Sequence, residues 1–397
     1  MSVATMTLPA TVVPRPRLVS GPLLRVFLAD FGGLTSFYLL LSVVPQYATA
    51  AGAGRVGAGV ATGALMLSTA AAEFVTPRLV ARFGYRLMLA AGLVLLGVPA
   101  LALPVSASMP MVVAVCVLRG VGLAIAFVVC AALSAELIPA ERRGEGLGVL
   151  GVVAGLPALF ALPLGLWLVA QVGYPLVFVA SVLAALSGLA VLPGLPGRRP
   201  AVDPALGVLA GLRTRTLLRP SIVFAGSAMA AGVVVTFLPA ALPHASGNLA
   251  AVALLAQAAA GTVSRWWAGR YGDRHGAARL LVPGVLMAAV GMLALILIAH
   301  PVAVLVGMVV FGGGFGVVQS ASMALMFDAV SASGYGTASA LWNLAYDAGF
   351  GLGAAGFGVL AVQTGYPAGF ALTAAVMLAI LVARGGRTRT HSGGVEQ

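Results

Sequence analysis

The sequence contains no lysine, and all 22 of its basic residues are arginine. Charged residues make up only 8% of the chain, whereas a soluble domain carries about 25%. Without a lysine, the glycine run Gly312–Gly314 cannot be the phosphate-binding loop of an ATPase. These absences exclude a soluble protein and leave no nucleotide-binding motif, so any energy source should be an ion gradient.

Cysteine and histidine are nearly as scarce. Cys116 and Cys130 are the only cysteines, and fourteen residues along one predicted helix separate them by about 21 Å, too far for a disulfide. The four histidines all fall in predicted loops or tails. Because a catalytic cluster within the apolar stretches is missing, we expect no enzymatic activity and no cofactor.

Apolar residues, by contrast, dominate the chain. They make up 61% of it, and about 20 of them in succession suffice to span a membrane as a helix. Charges, proline and glycine separate twelve such stretches, which begin near residues 24, 56, 84, 109, 145, 174, 221, 248, 279, 301, 337 and 366. The predicted fold is an all-α polytopic membrane protein with twelve transmembrane helices.

The second part of the sequence repeats the first. Residues 77–178 align without a gap to the positions 192 residues later, so that Gly84 falls on Gly276 and Gly173 falls on Gly365. Six of the predicted helices fall in each half of the chain, in register with this repeat. Two like-handed halves around one cavity are typical of secondary transporters, which bind their substrate where the halves meet.

The repeat also predicts the domain boundaries. The N-terminal six-helix half covers 1–193, and the C-terminal half covers 220–384. A stretch rich in proline, glycine and arginine, 194–219, forms the linker between them, and the polar residues 385–397 form a tail. This arrangement predicts two pseudo-symmetric halves.

The arginines predict the orientation in the membrane. Twenty of the 22 fall on one predicted side, and only Arg55 and Arg119 do not. By the positive-inside rule this side, which includes both termini and the linker, is cytoplasmic. The net charge of +12 therefore reflects topology rather than nucleic-acid binding, and we expect a multi-pass protein of the cell (inner or plasma) membrane.

The loop Gly269–Gly276 has the sequence Gly-Arg-Tyr-Gly-Asp-Arg-His-Gly. It resembles the G-x-x-x-D-R-x-G loop of the major facilitator superfamily. Its first-half counterpart keeps Arg82 and Gly84 but has Ala81 in place of the acid. With the twelve spans and the repeat, the resemblance covers essentially the whole chain and implies a transporter. Among subgroups, the chain is most similar to bacterial sugar-efflux and multidrug permeases.

This loop predicts a cytoplasmic gate. Asp273 can face the positive end of a neighbouring helix, while Arg274 can pair with Asp328. The repeat predicts a matching pair of Arg82 with Glu136, and in the resembling family such contacts lock the cytoplasmic side while the cavity faces outward. The alternative is that these are solvated charges which only orient the helices. The candidate gate residues are Arg82, Gly84, Glu136, Gly269, Asp273, Arg274, Gly276 and Asp328.

Three charged residues inside the predicted spans are candidates for proton coupling. A charge at that depth needs a partner or water, and we expect Asp30 and Arg119 to pair, because the first and fourth helices of the superfamily line the cavity together. Asp347 lies at the predicted midplane, where a carboxyl is expected to be neutral much of the time, which suits a proton carrier. The alternative for each is a role in helix packing alone.

Gly151, Gly155 and Pro157 lie in the fifth predicted helix. They are similar to the glycine-and-proline motif of the superfamily's antiporters, although Leu156 separates the last two. Close packing of helices is the alternative explanation for this spacing.

The predicted function follows from a cavity with few polar residues. Sparse hydrogen bonding favours the export of a small hydrophobic or amphipathic molecule by proton antiport. A proton-coupled symporter that imports a small metabolite or sugar remains an alternative, as does a non-transporting receptor or scaffold. We expect the chain to be a monomer in the lipid bilayer, with protons and a small molecule as partners. The candidate cavity residues are Tyr38, Gln257, Gln319, Asn343 and Tyr346.

Overall fold

The computed structural model describes residues 20–139, 142–195, 214–242, 248–331 and 334–385. This part of the chain is helical and contains no strand. Ten of its helical stretches are long and apolar enough to cross a membrane. Most of the predicted linker and the predicted tail lie outside the described residues.

The helices are numbered in chain order. They are α1 (Gly21–Leu41), α2 (Val43–Ala48), α3 (Gly54–Phe83), α4 (Tyr85–Gly97), α5 (Met109–Leu137), α6 (Arg143–Val172), α7 (Tyr174–Ser187), α8 (Arg215–Ala241), α9 (Leu249–His275), α10 (Ala278–Ala294), α11 (Pro301–Asp328) and α12 (Tyr335–Gly385). Eleven of the twelve predicted starts lie within a few residues of a helix start, and the largest difference is at α8, which begins at Arg215 rather than near 221. The predicted start near 366 lies inside α12, and the short α2 has no predicted start of its own. Both cysteines lie in α5 as free thiols, as predicted.

Two of the ten stretches contain breaks in helical geometry. The stretch from α1 to α3 includes the π-helical turn Thr49–Ala53, where Gly52 has a φ of 92°. In α12, Gly365 has a φ of 76°, and Tyr366 begins a new run of helix. Each break turns the chain between two apolar segments.

Glycines with a φ in the left-handed region end helices that occupy equivalent positions in the two copies of the repeat. Gly84 ends α3 with a φ of 83°, and Gly276 ends α9 with a φ of 89°. Gly173 (78°) and Gly365 (76°) form the other pair that is 192 residues apart. Residues with a β-carbon rarely adopt this conformation. The repeat in the sequence is therefore also a repeat in backbone geometry.

Helix packing repeats in the same way. A β-carbon on Gly122 of α5 would collide with the backbone of α4 at Gly92, and one on Gly314 of α11 would collide with the backbone of α10 at Gly284. Small residues at these crossings let the backbones approach closely, as is usual between membrane helices. Both residues of the second contact lie 192 positions after those of the first.

One end of the molecule is closed by contacts between early and late helices. In the described part of the chain, three side-chain hydrogen bonds join residues before 195 to residues after 214. The Ser42 hydroxyl donates to the Val235 carbonyl at 2.8 Å, the Thr236 hydroxyl donates to that of Thr62 at 3.0 Å, and Arg55 donates to the Ala361 carbonyl. The guanidinium of Arg55 also lies 4.4 Å from the centre of the Tyr366 ring. We call this the closed end.

Helices α3 and α12 pack along a seam of small residues near the closed end. Gly59 and Gly63 of α3 lie against Ala354 and Ala355 of α12. A β-carbon on Gly59 would collide with the Ala354 carbonyl. The two backbones therefore approach each other closely along this seam.

The outer surface is apolar. Leu183, Val263 and Trp266 are each more than half exposed, at 63%, 66% and 62%. A soluble monomer rarely exposes extensive apolar surface. With its long apolar helices, the chain is a multi-pass membrane protein whose outer surface faces lipid.

Candidate functional site

Eight helices, α1, α3, α5, α6, α8, α9, α11 and α12, line a cavity of about 310 Å³. Most of its wall is apolar. All five predicted cavity residues line it, and so does Asp347. Its polar and charged side chains are Tyr38, Thr69, Glu73, Gln257, Thr262, Arg265, Gln319, Trp342, Asn343, Tyr346 and Asp347.

The cavity lies between the closed end and the loops that carry the predicted gate. Along α3, Thr62 at the closed end is followed by Thr69 and Glu73 in the cavity, and then by Gly84 in the loop. In α6, the lining begins at Gly151, eight residues after the helix starts. The cavity therefore extends toward the gate loops.

Glu73 and Asp347 bring two carboxyls together from α3 and α12. Asp347 is buried, with 8% of its surface exposed, and Glu73 is half-buried. The two interact electrostatically, so both cannot be charged without repulsion. Among the described residues, neither carboxyl accepts a hydrogen bond. Sequence patterns identify Asp347 but not Glu73, although an acid eleven residues before the helix-ending Gly84 was a signal that could have found it.

Arg265 supplies the cavity's positive charge. The sequence places it beside a cytoplasmic loop, whereas the structure places it in the cavity wall, exposed to the cavity. Its Nη2 donates to Oε1 of Gln319 at 2.5 Å. Arg265 lies eleven residues before Gly276, as Glu73 lies eleven before Gly84, so the two are repeat equivalents of opposite charge.

Aromatic rings form one wall of the cavity. The indole of Trp342 stacks on Phe224 with a centroid distance of 4.3 Å and donates to the Ser322 hydroxyl at 3.0 Å. Tyr346 extends this stack toward Phe350, with the two ring centres 5.7 Å apart. Rings held in this way present rigid faces to a ligand.

Asp30 and Arg119 do not form the expected pair, and neither is among the lining residues. Arg119 is fully buried; its guanidinium donates to the carbonyls of Leu96 at 2.7 Å and Ser36 at 3.1 Å, and to the Ser181 hydroxyl at 3.4 Å. No ion pair between Arg119 and Asp30 is present in the part of the chain that the structure describes.

Depth explains why this pair is missing. Asp30 lies nine residues after the start of α1, and Arg119 lies eighteen residues before the end of α5, both counted from the gate-loop side. A difference of nine residues corresponds to about 14 Å along the helices. An arginine side chain cannot span that distance.

The predicted gate pairs are also not formed in this structure. The guanidinium of Arg82 lies 5.3 Å from the centre of the Phe83 ring, and the Tyr85 hydroxyl donates to the Glu136 carboxylate. Within the described ranges, no ion pair joins Arg82 to Glu136 or Arg274 to Asp328. Asp328 instead borders a second pocket, which Arg219 also lines. Gly84 and Gly276 do end their helices as the motif predicts, and Gly269 and Asp273 lie in the last two turns of α9.

Gly151 and Gly155 of α6 face the cavity. A β-carbon built on either glycine would meet no atom within 4 Å. They therefore widen the cavity in this structure, and close helix packing does not account for them.

The sequence matches the family model of the Major Facilitator Superfamily over residues 26–354 and again over 221–394. These matches extend over most of the chain. No curated protein sequence is similar enough to match it.

Several solved transporters share this fold. A POT family transporter, solved with a thioalcohol-conjugated peptide, has a TM-score of 0.75 and 12% identity, covering 93% of this chain and 96% of its own. The xylose transporter XylE from E. coli, in a partially occluded inward-open conformation, has a TM-score of 0.72 and 15% identity. The alignment covers 95% of this chain and 100% of the XylE chain. The nucleoside transporter NupG has a TM-score of 0.71 and 12% identity, and the alignment covers 93% of this chain and 100% of the NupG chain. At these identities the likeness shows the fold alone.

Proposed function

This chain belongs to the Major Facilitator Superfamily, whose members are transporters, and we propose that it exports a small hydrophobic or amphipathic molecule by proton antiport. The observation that carries the proposal is the cavity itself. It is largely apolar, helices from both copies of the repeat line it, and it holds two carboxyls without hydrogen-bond partners among the described residues. Such a site suits a weakly polar substrate and a proton.

Alternating access requires two halves that rock against each other around the cavity. We propose twelve spans, with α1 and α2 together as the first and α12 divided at Gly365 into the last two. The halves are 1–193 and 220–384, with 194–219 as the linker and 385–397 as the tail. In this proposal the linker, the tail and the arginine-bearing loops lie in the cytoplasm, so the cavity faces inward and the closed end faces outward.

The gate residues then act in the opposite state. Arg82 with Glu136, and Arg274 with Asp328, pair when the cavity opens outward and the contacts of Arg55 break. Their separation in this structure fits an inward-facing cavity. Asp273 and the glycines Gly84, Gly269 and Gly276 shape the helix ends that move.

Asp347 is the principal coupling residue in this proposal. A charged carboxyl in apolar surroundings is costly, so a proton or a positive partner must neutralise it when the cavity closes. Asp30 is a second candidate on α1, outside the lining. Arg119 holds α1, α4 and α7 together and thereby positions the first half.

Transport by reconstituted protein tests this proposal. Four probes share a phenylbutyl body and differ in charge: phenylbutyltrimethylammonium, phenylbutanol, phenylbutyrate and the trimethyl betaine of homophenylalanine. Under antiport, an acid liposome interior drives accumulation of at least one probe, and collapsing the gradient abolishes it. Under symport, an acid exterior is required instead, and no gradient-driven accumulation of any probe would contradict transport.

Variants of Asp347 test the coupling. Asp347→Asn should reduce accumulation and remove the pH dependence of probe binding, while Asp347→Glu should retain part of both. Glu396→Gln, which removes a carboxyl next to the last residue of the chain, serves as the matched control. If Asp347→Asn transports with unchanged pH dependence, Asp347 is structural and coupling must be sought at Asp30.

A further inference from the structure

The three charges of the cavity lie at opposite sides of it. Glu73 and Asp347 lie on α3 and α12, which pack against each other, whereas Arg265 lies on α9, which packs against α6. The repeat accounts for this separation, since Glu73 and Arg265 occupy equivalent positions in the two copies. The cavity is therefore acidic at the α3–α12 side and basic at the α9–α6 side.

Two buried polar side chains of the cavity lack hydrogen-bond partners in the described part of the chain, Asp347 on the acidic side and Gln257 on α9. Asp347 and Gln257 are each 8% exposed and line the cavity, yet neither receives a side-chain hydrogen bond from the described part of the protein. Arg265 already contacts Gln319. Because buried polar groups are nearly always hydrogen-bonded, these two side chains are candidates for contact with a ligand.

Few other charged groups face this carboxyl pair. Tyr38 of α1, Tyr346 of α12 and Arg265 of α9 are the titratable side chains that share the cavity. Among the described residues, the neighbouring α8 carries its only charges at Arg215 and Arg219, in its first turns. On α5, Arg119 and Glu136 lie outside the lining. The net charge of the cavity is thus set by two carboxyls and one guanidinium.

We infer that the cavity binds an amphipathic monocation, whose positive group lies between Glu73 and Asp347 and whose apolar body lies against the aromatic wall. The inference rests on the proposed function and names its substrate class. The aromatic residues Phe37, Tyr38 and Trp342 line the cavity, and aromatic rings attract cations. The volume of about 310 Å³ fits a small molecule.

Charge balance then selects antiport. Two carboxylates and one guanidinium carry one net negative charge, which either one proton or one monocation neutralises, but not both. A zwitterion would leave that charge in place, so a proton would bind together with it, as symport requires. A monocation must instead displace the proton.

Calorimetry on the purified full-length protein in detergent tests the inference with the same four probes. Phenylbutyltrimethylammonium cannot exchange protons, so any proton released on binding comes from the protein. We expect it to bind at least about tenfold more tightly than phenylbutanol, with up to one proton released per cation. Lowering the pH should weaken its binding.

Two sets of variants make the test specific. Glu73→Gln and Asp347→Asn should each lower affinity for the cation about tenfold and leave phenylbutanol binding unchanged. Glu73→Asp keeps the carboxyl and should retain part of the affinity for the cation. Glu396→Gln should change neither. Arg265→Gln adds one net negative charge to the cavity, so a second proton should neutralise the empty site, and one proton should stay bound when the cation displaces the other.

The outcomes separate this inference from the proposed function. Tighter binding of the betaine, equal or undetectable binding of the cation and phenylbutanol, or cation binding that survives both carboxyl substitutions would overturn the monocation site. If the cation binds and releases a proton but liposomes accumulate no probe, the site stands and the transport proposal fails. If another probe accumulates while the cation does not bind, the transport proposal stands and the site fails.

Discussion

At the scale of single residues, Arg119 shows how a guanidinium is held inside a membrane protein without an acid. Two backbone carbonyls and one hydroxyl accept its hydrogen bonds, from α1, α4 and α7, while its buried Nε has no partner among the described residues. Because these acceptors belong to three helices of the first half, the side chain ties that half together.

Replacement of Arg119 should therefore destabilise the protein. Arg119→Ala leaves buried acceptors unpaired and opens a void, which costs about 3 kcal/mol or more. Thermal unfolding followed in detergent should show a clear fall in the unfolding midpoint, with Arg78→Ala, a gate-loop-side control, close to wild type. An unchanged midpoint for Arg119→Ala would contradict the structural role.

The sequence predicts some of the cavity residues and misses others for a physical reason. Gln257, Asn343 and Asp347 are polar residues deep within apolar spans, where a polar group needs a function or a partner. Glu73 and Arg265 lie closer to the gate-loop ends, where charge is ordinary. Only the packing of α3 and α9 around a cavity that extends toward those ends distinguishes them from surface charges.

At the scale of helices, the seam between α3 and α12 depends on the absence of side chains. Gly59 has no space for a β-carbon beside Ala354, whereas Gly356, also on α12, has no atom within 4 Å of where its β-carbon would lie. The two glycines thus provide a matched pair for testing the closed end. A large side chain at Gly59 should push α3 and α12 apart, whereas one at Gly356 should leave their packing unchanged.

We expect Gly59→Leu to open the closed end. Thr236, which is 2% exposed at this end, can be replaced by cysteine in a background where Cys116 and Cys130 are alanine. Labelling of Thr236→Cys by a membrane-impermeant maleimide should rise severalfold with Gly59→Leu and should not change with Gly356→Leu. Equal labelling of both, with the protein folded, would show that the seam does not control access.

At the scale of the whole molecule, the sequence repeat predicts helix ends and helix contacts that the structure contains, whereas the expected charge pairs are absent from the described residues. The glycines that end α3 and α9 correspond at 192 residues, and so do the contacts of Gly122 and Gly314. The gate pairs expected from the motif are not formed between the described residues, and in the proposed alternating-access cycle they would form in the opposite state. Asp30 and Arg119 fail to pair for a different reason, because their positions along α1 and α5 lie at different depths.

The distribution of arginine predicts the orientation of the whole chain. A green fluorescent protein fused after Gln397 should be fluorescent, and alkaline phosphatase fused there should be inactive, because the positive-inside rule places the C-terminus in the cytoplasm. Fusions after Ser106, in the loop between α4 and α5, should give the reverse result. An active phosphatase at the C-terminus would invert the topology, and the cavity would then face the outside.

The closed end has a consequence for the speed of the proposed transport cycle. Its seam consists of glycine and alanine, and each CH₂ group exposed to water costs about 0.8 kcal/mol. Glycine and alanine expose few such groups when they separate. Within the described residues, the three hydrogen bonds across this end can be replaced by bonds to water. Opening should therefore have a low activation barrier, and turnover should depend only weakly on temperature.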